Sequence, residues 1–73
     1  MRMKINLDTY SAAVRFSGIA TQLTEEVHLT DGANMRVSAK SIMGTLYATF
    51  DFNEIWLETE NEHYNLFKEF EAE

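Results

Sequence analysis

The sequence has no cysteine, no proline and only three glycines among its 73 residues. Without cysteine, neither a disulfide nor a thiolate metal site can stabilise a small core, and the composition favours a reducing compartment. Without proline and with so little glycine, no stretch has the composition of an interdomain linker. Because two separate cores would each need roughly 50 residues, we expect one domain spanning residues 1–73.

Long apolar runs are absent as well. No segment approaches the roughly 20 apolar residues that a membrane span requires. The start of the chain, residues 1–5, lacks the apolar block and the cleavage site of a signal peptide. Apolar residues, aromatics included, nevertheless make up 45% of the chain, as in folded soluble domains. We therefore expect a cytoplasmic protein with no membrane partner.

Positive charge is scarce: six Lys and Arg residues stand against twelve Asp and Glu residues, for a formal net charge of −6. This balance argues against a nucleic-acid partner, which is held mainly by cationic contacts to phosphates. Residues 51–73 hold eight of the acidic residues and one of the basic ones. The favoured interpretation is a solvated acidic segment that keeps the protein in solution. The alternative interpretation is that the near-neutral N-terminal part remains free to bind a partner.

Hydrophobic periodicity predicts four strands and three helices. Alternating apolar residues predict strands at residues 2–7, 27–30, 35–40 and 54–59. An apolar stripe at three- and four-residue steps predicts a helix from about Tyr10 to Leu23, capped by Asp8 or Thr9.

The two remaining helices are predicted to be shorter. Ser41 is placed to cap a helix over residues 42–46, with Gly44 limiting its length. Asn61 can cap a last helix. The apolar face of that helix is formed by Leu66, Phe67 and Phe70.

The resulting order, βαββαβα, predicts an α+β fold. A four-stranded antiparallel sheet with helices on one face is the simplest way to bury one face of every element, and this is an open-faced sandwich. We expect these side chains to form its core: Ile5, Phe16, Leu23, Val27, Leu29, Val37, Leu57, Leu66 and Phe67.

Residue patterns for catalysis or metal binding are missing. His28 and His63 have no partner at metal-ligand spacing, so both are interpreted as surface histidines. No Gly-rich phosphate loop or nucleophile elbow occurs. The C-terminal glutamates resemble a charged face rather than an acid–base pair, which would need one carboxyl in an apolar pocket. We therefore expect neither an enzyme nor a bound metal or cofactor.

The most informative stretch runs from Ala39 to Gly44. A capping serine alone indicates only a helix start. Here Ile42, Met43 and Leu46 follow Ser41 in so short a helix that not all of them can face the core. The pattern predicts an exposed apolar docking patch beside a serine, where a phosphate would meet free backbone N–H groups.

Residues 40–44, Lys-Ser-Ile-Met-Gly, resemble the regulatory-serine motif of HPr, the histidine phosphocarrier of the bacterial phosphoenolpyruvate–sugar phosphotransferase system. The predicted element order is similar to the HPr fold over nearly the whole chain. The resemblance implies that Ser41 is the phosphoacceptor, that Ile42, Met43, Gly44 and Leu46 contact partners, and that Lys40 tunes the local charge. It also implies the partners of that family: HPr kinase/phosphorylase, a catabolite-control transcription regulator, or components of the phosphotransferase system.

The other hallmark of the family is missing. HPr proteins carry Gly-Ile-His-Ala-Arg-Pro-Ala where the first strand meets the first helix. In this alignment Thr9 takes the place of the phosphorylated histidine, Ser11 that of the arginine and Ala12 that of the proline, so that only Ala13 agrees. A threonine hydroxyl without an activating base is a poor nucleophile, and its phosphate ester is too stable to be passed on.

Three functions stay open. The first is a divergent HPr-like regulator, without histidine phosphotransfer, that acts through protein contacts in carbon catabolite regulation. The second is a plain structural or interaction domain in which Ser41 is only a cap. The third is a true phosphocarrier that uses an unrecognised residue. A homodimer is possible in each case, since an apolar patch and an unpaired edge strand both permit one.

Overall fold

A computed structural model describes all 73 residues, from Met1 to Glu73. Its strands are β1 (Arg2–Ile5), β2 (Val27–Thr30), β3 (Arg36–Ser38) and β4 (Ile55–Thr59). Its helices are α1 (Tyr10–Thr21), α2 (Ile42–Asp51) and α3 (Tyr64–Phe67), and a 3₁₀ turn, Lys68–Phe70, follows the last one. The predicted order βαββαβα is confirmed.

The four strands form one sheet in the order β1-β4-β2-β3, and every neighbouring pair is antiparallel. The two central strands, β4 and β2, are joined by the pair Leu57 and Leu29. On the outer strands Met3 lies opposite Leu57, and Val37 lies opposite Leu29. This register places the apolar residues of all four strands on the same face.

Side chains alternate between the two faces of the sheet, as the pleat requires. The covered face supplies the strand part of the core: Met3, Ile5, Val27, Leu29, Ile55 and Leu57. The other face carries polar and amphipathic side chains, among them Arg2, Lys4, His28, Trp56 and Glu58. The helices therefore pack on one face only, and the predicted α+β open-faced sandwich is confirmed.

Aromatic rings close the core between α1 and the C-terminal segment. The ring of Phe16 lies 5.4 Å from that of Phe67 and 5.4 Å from that of Phe70, the latter edge to face. All three side chains are buried. Such pairs add about 0.5–1.5 kcal/mol each beyond the area they bury.

Six of the nine predicted core residues are buried, while Leu23 and Val37 pack against the core as partly buried side chains. Leu66 is the exception, because 46% of it is exposed. Consecutive helical residues point about 100° apart. With Phe67 directed at Phe16, the neighbouring Leu66 faces solvent.

The second helix is twice as long as predicted, running over ten residues to Asp51. Gly44 does not shorten it. The backbone of Gly44 instead passes so close to β3 that a Cβ atom there would lie 2.8 Å from the carbonyl oxygen of Ser38. The glycine thus permits close packing of helix on strand.

Several other predicted boundaries need correction, among them those of β3, which spans only Arg36–Ser38. Asn61 does not cap the last helix, because its N–H groups bind the carboxylate of Glu25, and α3 starts after His63 without a side-chain cap. The first strand ends at Ile5, and α1 ends at Thr21.

None of the helices combines the length and apolar character needed to cross a bilayer.

Candidate functional site

Ser41 begins α2 as its N-cap. Its backbone is extended, with φ −95° and ψ 123°, and its Oγ accepts a hydrogen bond from the Gly44 N–H at 3.1 Å. Serine is favoured there because its oxygen satisfies one of the free N–H groups at a helix start. The residue is exposed, so its hydroxyl is accessible from solvent.

The turn in front of Ser41 is anchored to both helices. The carbonyl of the buried Ala39 accepts hydrogen bonds from the hydroxyls of Ser17 in α1, at 3.0 Å, and Thr45 in α2, at 3.2 Å. The Lys40 ammonium donates to the carbonyl of Leu23, just beyond the end of α1, at 2.6 Å. These hydrogen bonds fix the backbone in front of Ser41, and the Lys40 ammonium is held by its contact next to the end of α1.

Ser17 and Thr45 hold the turn in front of Ser41, and neither residue was predicted from the sequence. Both side chains are buried, and both hydroxyls reach the same carbonyl oxygen. A sequence signal for Ser17 did exist, since it lies four residues after Ala13 on the apolar stripe of α1 and so faces the core. Its acceptor could not be predicted, because Ala39 is 22 positions away.

An apolar surface runs along the outside of α2, formed by Met43, Leu46, Tyr47 and Phe50; we call it the α2 stripe. Met43 is 74% exposed and Phe50 83% exposed, whereas Tyr47 is 42% exposed and Leu46 half-buried. The opposite side of the helix packs Thr45 and Ala48 into the molecule. The structure thus places Met43 and Leu46 of the predicted patch on one surface and adds Tyr47 and Phe50.

The other predicted patch residues lie beside this surface. Ile42, 36% exposed, starts the helix on the side next to Leu46. Gly44 faces β3 and offers no side chain to a partner. The apolar surface is therefore centred further along α2 than the sequence motif indicated.

At the start of α1, Thr9 acts as a helix cap, as predicted. Its Oγ1 accepts a hydrogen bond from the Ala12 N–H at 3.0 Å. Ser11 is exposed, and Ala13 is buried. The position aligned with the phosphohistidine of HPr thus carries a hydroxyl that is engaged in helix capping.

A shallow depression of about 180 Å³ joins the start of α1 to the second half of α2. The residues that line it are Leu7, Asp8, Thr9, Tyr10, Ala13, Leu46, Thr49 and Phe50. The structure therefore brings Thr9 and Leu46 to one surface. Ser41 lies at the opposite end of α2, which at ten residues is about 15 Å long.

Charge is nearly absent from α2, where Asp51 is the only charged residue. The negative charge of Asp51, with partial burial as a smaller cause, raises the pKa of the Tyr47 hydroxyl. The first turn of α2 contains no acidic residue. A negative group near Ser41 would meet the positive end of the helix without a neighbouring anion in that turn.

Both histidines lie outside α1 and α2. His28 is in β2, on the open face of the sheet. His63 precedes α3, and its Nε2 lies 2.5 Å from the Glu25 carboxylate, with both side chains partly buried. This hydrogen bond, followed by those from Asn61 and Glu60, lowers the pKa of Glu25 to about 2. No group of three or more His, Asp or Glu side chains is placed to hold a metal ion.

Comparison of the chain with protein-family models, with curated proteins and with solved structures finds no match. The resemblance to HPr accordingly remains an interpretation of residues 40–44 and of the element order.

Proposed function

We propose that the chain is an HPr-like cytoplasmic protein that acts through protein contacts rather than as an enzyme or a histidine phosphocarrier. Phosphorylation of Ser41 switches those contacts. The observation that carries this proposal is the position of an exposed capping serine at the start of the helix that presents the α2 stripe.

The start of α2 supports phosphorylation of Ser41. A phosphoserine carries about −1.5 to −2 charges at pH 7. The N–H groups of Ile42 and Met43, in the first turn, have no acceptor within the helix and are available to it. Such a charge at a helix N-terminus stabilises by roughly 0.3–1 kcal/mol. Phosphorylation therefore leaves the fold intact and changes the surface.

The effect on partners follows from the place of the new charge. A dianion beside Ile42 and Met43 repels a partner that contacts this surface with apolar side chains alone and attracts one that adds an arginine to the contact. The resemblance to HPr suggests which proteins these are: HPr kinase/phosphorylase, a catabolite-control transcription regulator and components of the phosphotransferase system.

A first experiment incubates the protein with HPr kinase and ATP and measures its intact mass. We expect wild type to gain one phosphate and Ser41→Ala to gain none. Ser11→Ala is the matched control, because Ser11 is also exposed near a helix start and should leave the gain unchanged. Absence of modification would favour the plain interaction domain.

A second experiment tests phosphotransfer with purified enzyme I and phosphoenolpyruvate. We expect no acid-labile label on the wild type, because Thr9 stands at the acceptor position and its oxygen serves as a helix cap. Thr9→His alone should restore little, since Ser11 and Ala12 also depart from the HPr site. Labelling of the wild type would support a phosphocarrier instead.

A third experiment measures binding of a purified catabolite-control regulator to the Ser41-phosphorylated protein. Met43→Asp places a charge in the α2 stripe and should weaken binding at least tenfold. Met35→Asp makes the same change at an exposed methionine outside α2 and should bind like wild type. Equal binding by both variants would remove the α2 stripe from the interface.

A further inference from the structure

The α2 stripe has the spacing of a helix-pairing seam. Met43, Leu46, Tyr47 and Phe50 stand at positions i, i+3, i+4 and i+7, where two packed helices interlock their apolar side chains. Helices on the surface of a monomer normally present charged or polar residues on this outer side. In this chain all four positions are apolar or aromatic.

The composition around the seam is that of an interface core. Such cores are depleted in charge and enriched in aromatic residues and methionine. Here α2 has no basic residue and its only acidic residue is Asp51, at its last position. The two most exposed side chains of the stripe, Met43 and Phe50, are separated by two turns of one helix face.

We propose that the α2 stripe packs against the α2 stripe of a second copy of this chain, with the two helices antiparallel. The midpoint of α2 lies between Leu46 and Tyr47, so the two-fold axis of the pair passes beside these residues. A two-fold pairing needs one self-complementary surface, and the stripe provides it.

Antiparallel pairing matches unlike side chains. It places Met43 of each copy opposite Phe50 of the other. Next to Phe50 lies the depression between α1 and α2, whose wall also includes Tyr10 and Leu46. The flexible methionine side chain suits an irregular apolar recess of this kind and makes favourable contacts with aromatic rings.

Charge selects the antiparallel arrangement over the parallel one. Asp51 stands at the C-terminal end of its own helix, where the helix dipole disfavours a negative charge. In the antiparallel pair it lies near the positive N-terminal end of the partner's helix. A parallel pair would instead bring the two Asp51 carboxylates together at one end.

Pairing also regulates access to the α2 stripe, which is the docking surface of the proposed function. This part of the inference rests on the proposed function. The dimer covers the α2 stripe, so partners reach it only in the monomer. Antiparallel packing also brings Ser41 towards the end of the partner's helix that holds Asp51. A phosphate on Ser41 would meet that carboxylate and shift the equilibrium to the monomer.

Sedimentation equilibrium of the purified protein tests the association. A seam of one short helix falls in the small-interface class, below about 1,200 Å², which forms weak and reversible contacts. We expect the average mass to rise from monomer towards dimer as the concentration increases from about 10 µM to about 1 mM, as a weak and reversible association requires. Met43→Asp should stay monomeric with an unchanged circular dichroism spectrum, whereas Met35→Asp should dimerise like wild type. A monomeric wild type throughout would overturn the proposal.

Single cysteines test the geometry, since the chain has none of its own. Under mild oxidation Tyr47→Cys should cross-link to itself, because residue 47 lies at the two-fold axis. Phe50→Cys should cross-link with Met43→Cys in a mixture but not with itself. Leu66→Cys, exposed on α3, measures random collision. Self-linking of Phe50→Cys at the rate of Tyr47→Cys would show a parallel pair and overturn the antiparallel one.

The link to Ser41 is tested in the same sedimentation assay. Ser41→Asp should weaken dimerisation several-fold, while Ser41→Asn, a neutral residue that also caps helices well, should retain it. Equal association by both variants would overturn the proposed regulation. Because these assays use the purified chain alone, a failure here leaves kinase modification and regulator binding to be judged separately.

Discussion

Residue 44 illustrates how one missing side chain sets the distance between a helix and a strand. At the contact between α2 and β3, a Cβ atom on Gly44 would lie 2.8 Å from the Ser38 carbonyl oxygen, which is rigid backbone. Gly18 in α1 is different, because nothing lies within 4 Å of the corresponding position. The same residue type therefore has a packing role at one site and none at the other.

These two glycines form a matched pair of substitutions. Gly44→Ala should destabilise the protein by about 1–3 kcal/mol, because the helix must move away from the strand. Gly18→Ala should stabilise it by up to about 1 kcal/mol, through helix propensity alone. Urea unfolding curves of the two variants and wild type measure both effects. A Gly44→Ala variant as stable as Gly18→Ala would contradict the close approach.

Glu25 is the most highly connected side chain on the surface. Its carboxylate accepts hydrogen bonds from the backbone N–H groups of Glu60 and Asn61, at 2.8 and 2.9 Å, and from the Asn61 side chain at 3.2 Å. Its other contact is with His63. Glu25 thereby ties the loop after α1 to the loop after β4, and it binds Asn61, which was wrongly predicted to cap the last helix.

The pH dependence of stability should report this carboxylate. Folding lowers the pKa of Glu25 from about 4.5 to about 2. Its stabilisation is therefore fully present above about pH 4.5 and is lost as the pH falls towards 2. Glu25→Gln should be less stable than wild type at pH 6, and the difference in melting temperature should shrink across that window.

Glu26→Gln is the control for this titration. The Glu26 side chain is 79% exposed, and the His28 ring lies 3.9 Å from its carboxylate. Exposed pairs of this kind contribute little. The control should melt close to wild type from pH 6 to acid conditions. A Glu25→Gln difference that stays constant with pH would show that the carboxylate is not the titrating group.

At the scale of elements, α1 holds the core together through Phe16. This side chain contacts the rings of Phe67 and Phe70, so it joins α1 to the C-terminal segment. The predicted helical stripe placed Phe16 correctly. Its aromatic partners depend on how the chain end folds back, which the stripe alone does not specify.

Phe16→Ala should cost about 3–5 kcal/mol, because it leaves a cavity between three elements. Domains of this size are stable by about 5–15 kcal/mol at most, so the variant should be partly or wholly unfolded at 37 °C. Val14→Ala, on the exposed side of α1, should change stability by less than about 1 kcal/mol. Thermal melts of both variants check the assignment. A Phe16→Ala variant that melts with wild type would refute it.

At the scale of the molecule, the acidic last third neutralises the basic residues of the first two thirds. Arg2 and Arg36 both pair with Glu58, Lys4 with Glu54 and Arg15 with Glu69. The fifth basic residue, Lys40, donates to a backbone carbonyl. The N-terminal part is near-neutral by composition, but its cations are engaged within the molecule.

The C-terminal segment completes the sheet edge. The Asn6 N–H donates to the Phe70 carbonyl at 2.7 Å, and the Ala72 N–H donates to the Lys4 carbonyl at 3.0 Å. These bonds cover one end of β1, which is otherwise an edge strand. Together with the ring of Phe70, they make the last residues part of the fold.

Removal of residues 68–73 should therefore lower the melting temperature by at least about 4–8 °C, the shift that 1 kcal/mol produces in a domain of this size. It should also expose the Asn6 amide to hydrogen exchange. Removal of Glu73 alone, an exposed residue, should have little effect on either measurement. Unchanged protection of Asn6 in the longer truncation would show that the segment only rests on the surface.

Local patterns in the sequence were enough to predict the order of the elements, the buried side of each strand, Ser41 as a cap, and Asp8 or Thr9 as the cap of α1. These properties are local: side-chain periodicity and backbone capping act over a few neighbouring residues, so they are visible without the rest of the fold. The α+β class followed from the same local patterns, because each element has one apolar side to cover.

The length of α2 and the outward direction of the α2 stripe depend on contacts between distant parts of the chain. The apolar residues among 47–53 do not mark a buried side by themselves, and in the fold the side of α2 that faces the molecule is the one with Gly44, Thr45 and Ala48. Two sets of contacts likewise depend on folding. They are the hydrogen bonds of the Ala39 carbonyl with Ser17 and Thr45, and the contact of Glu25 with His63. Their partners come from separate elements, and the chain brings them together only when the shared core is buried.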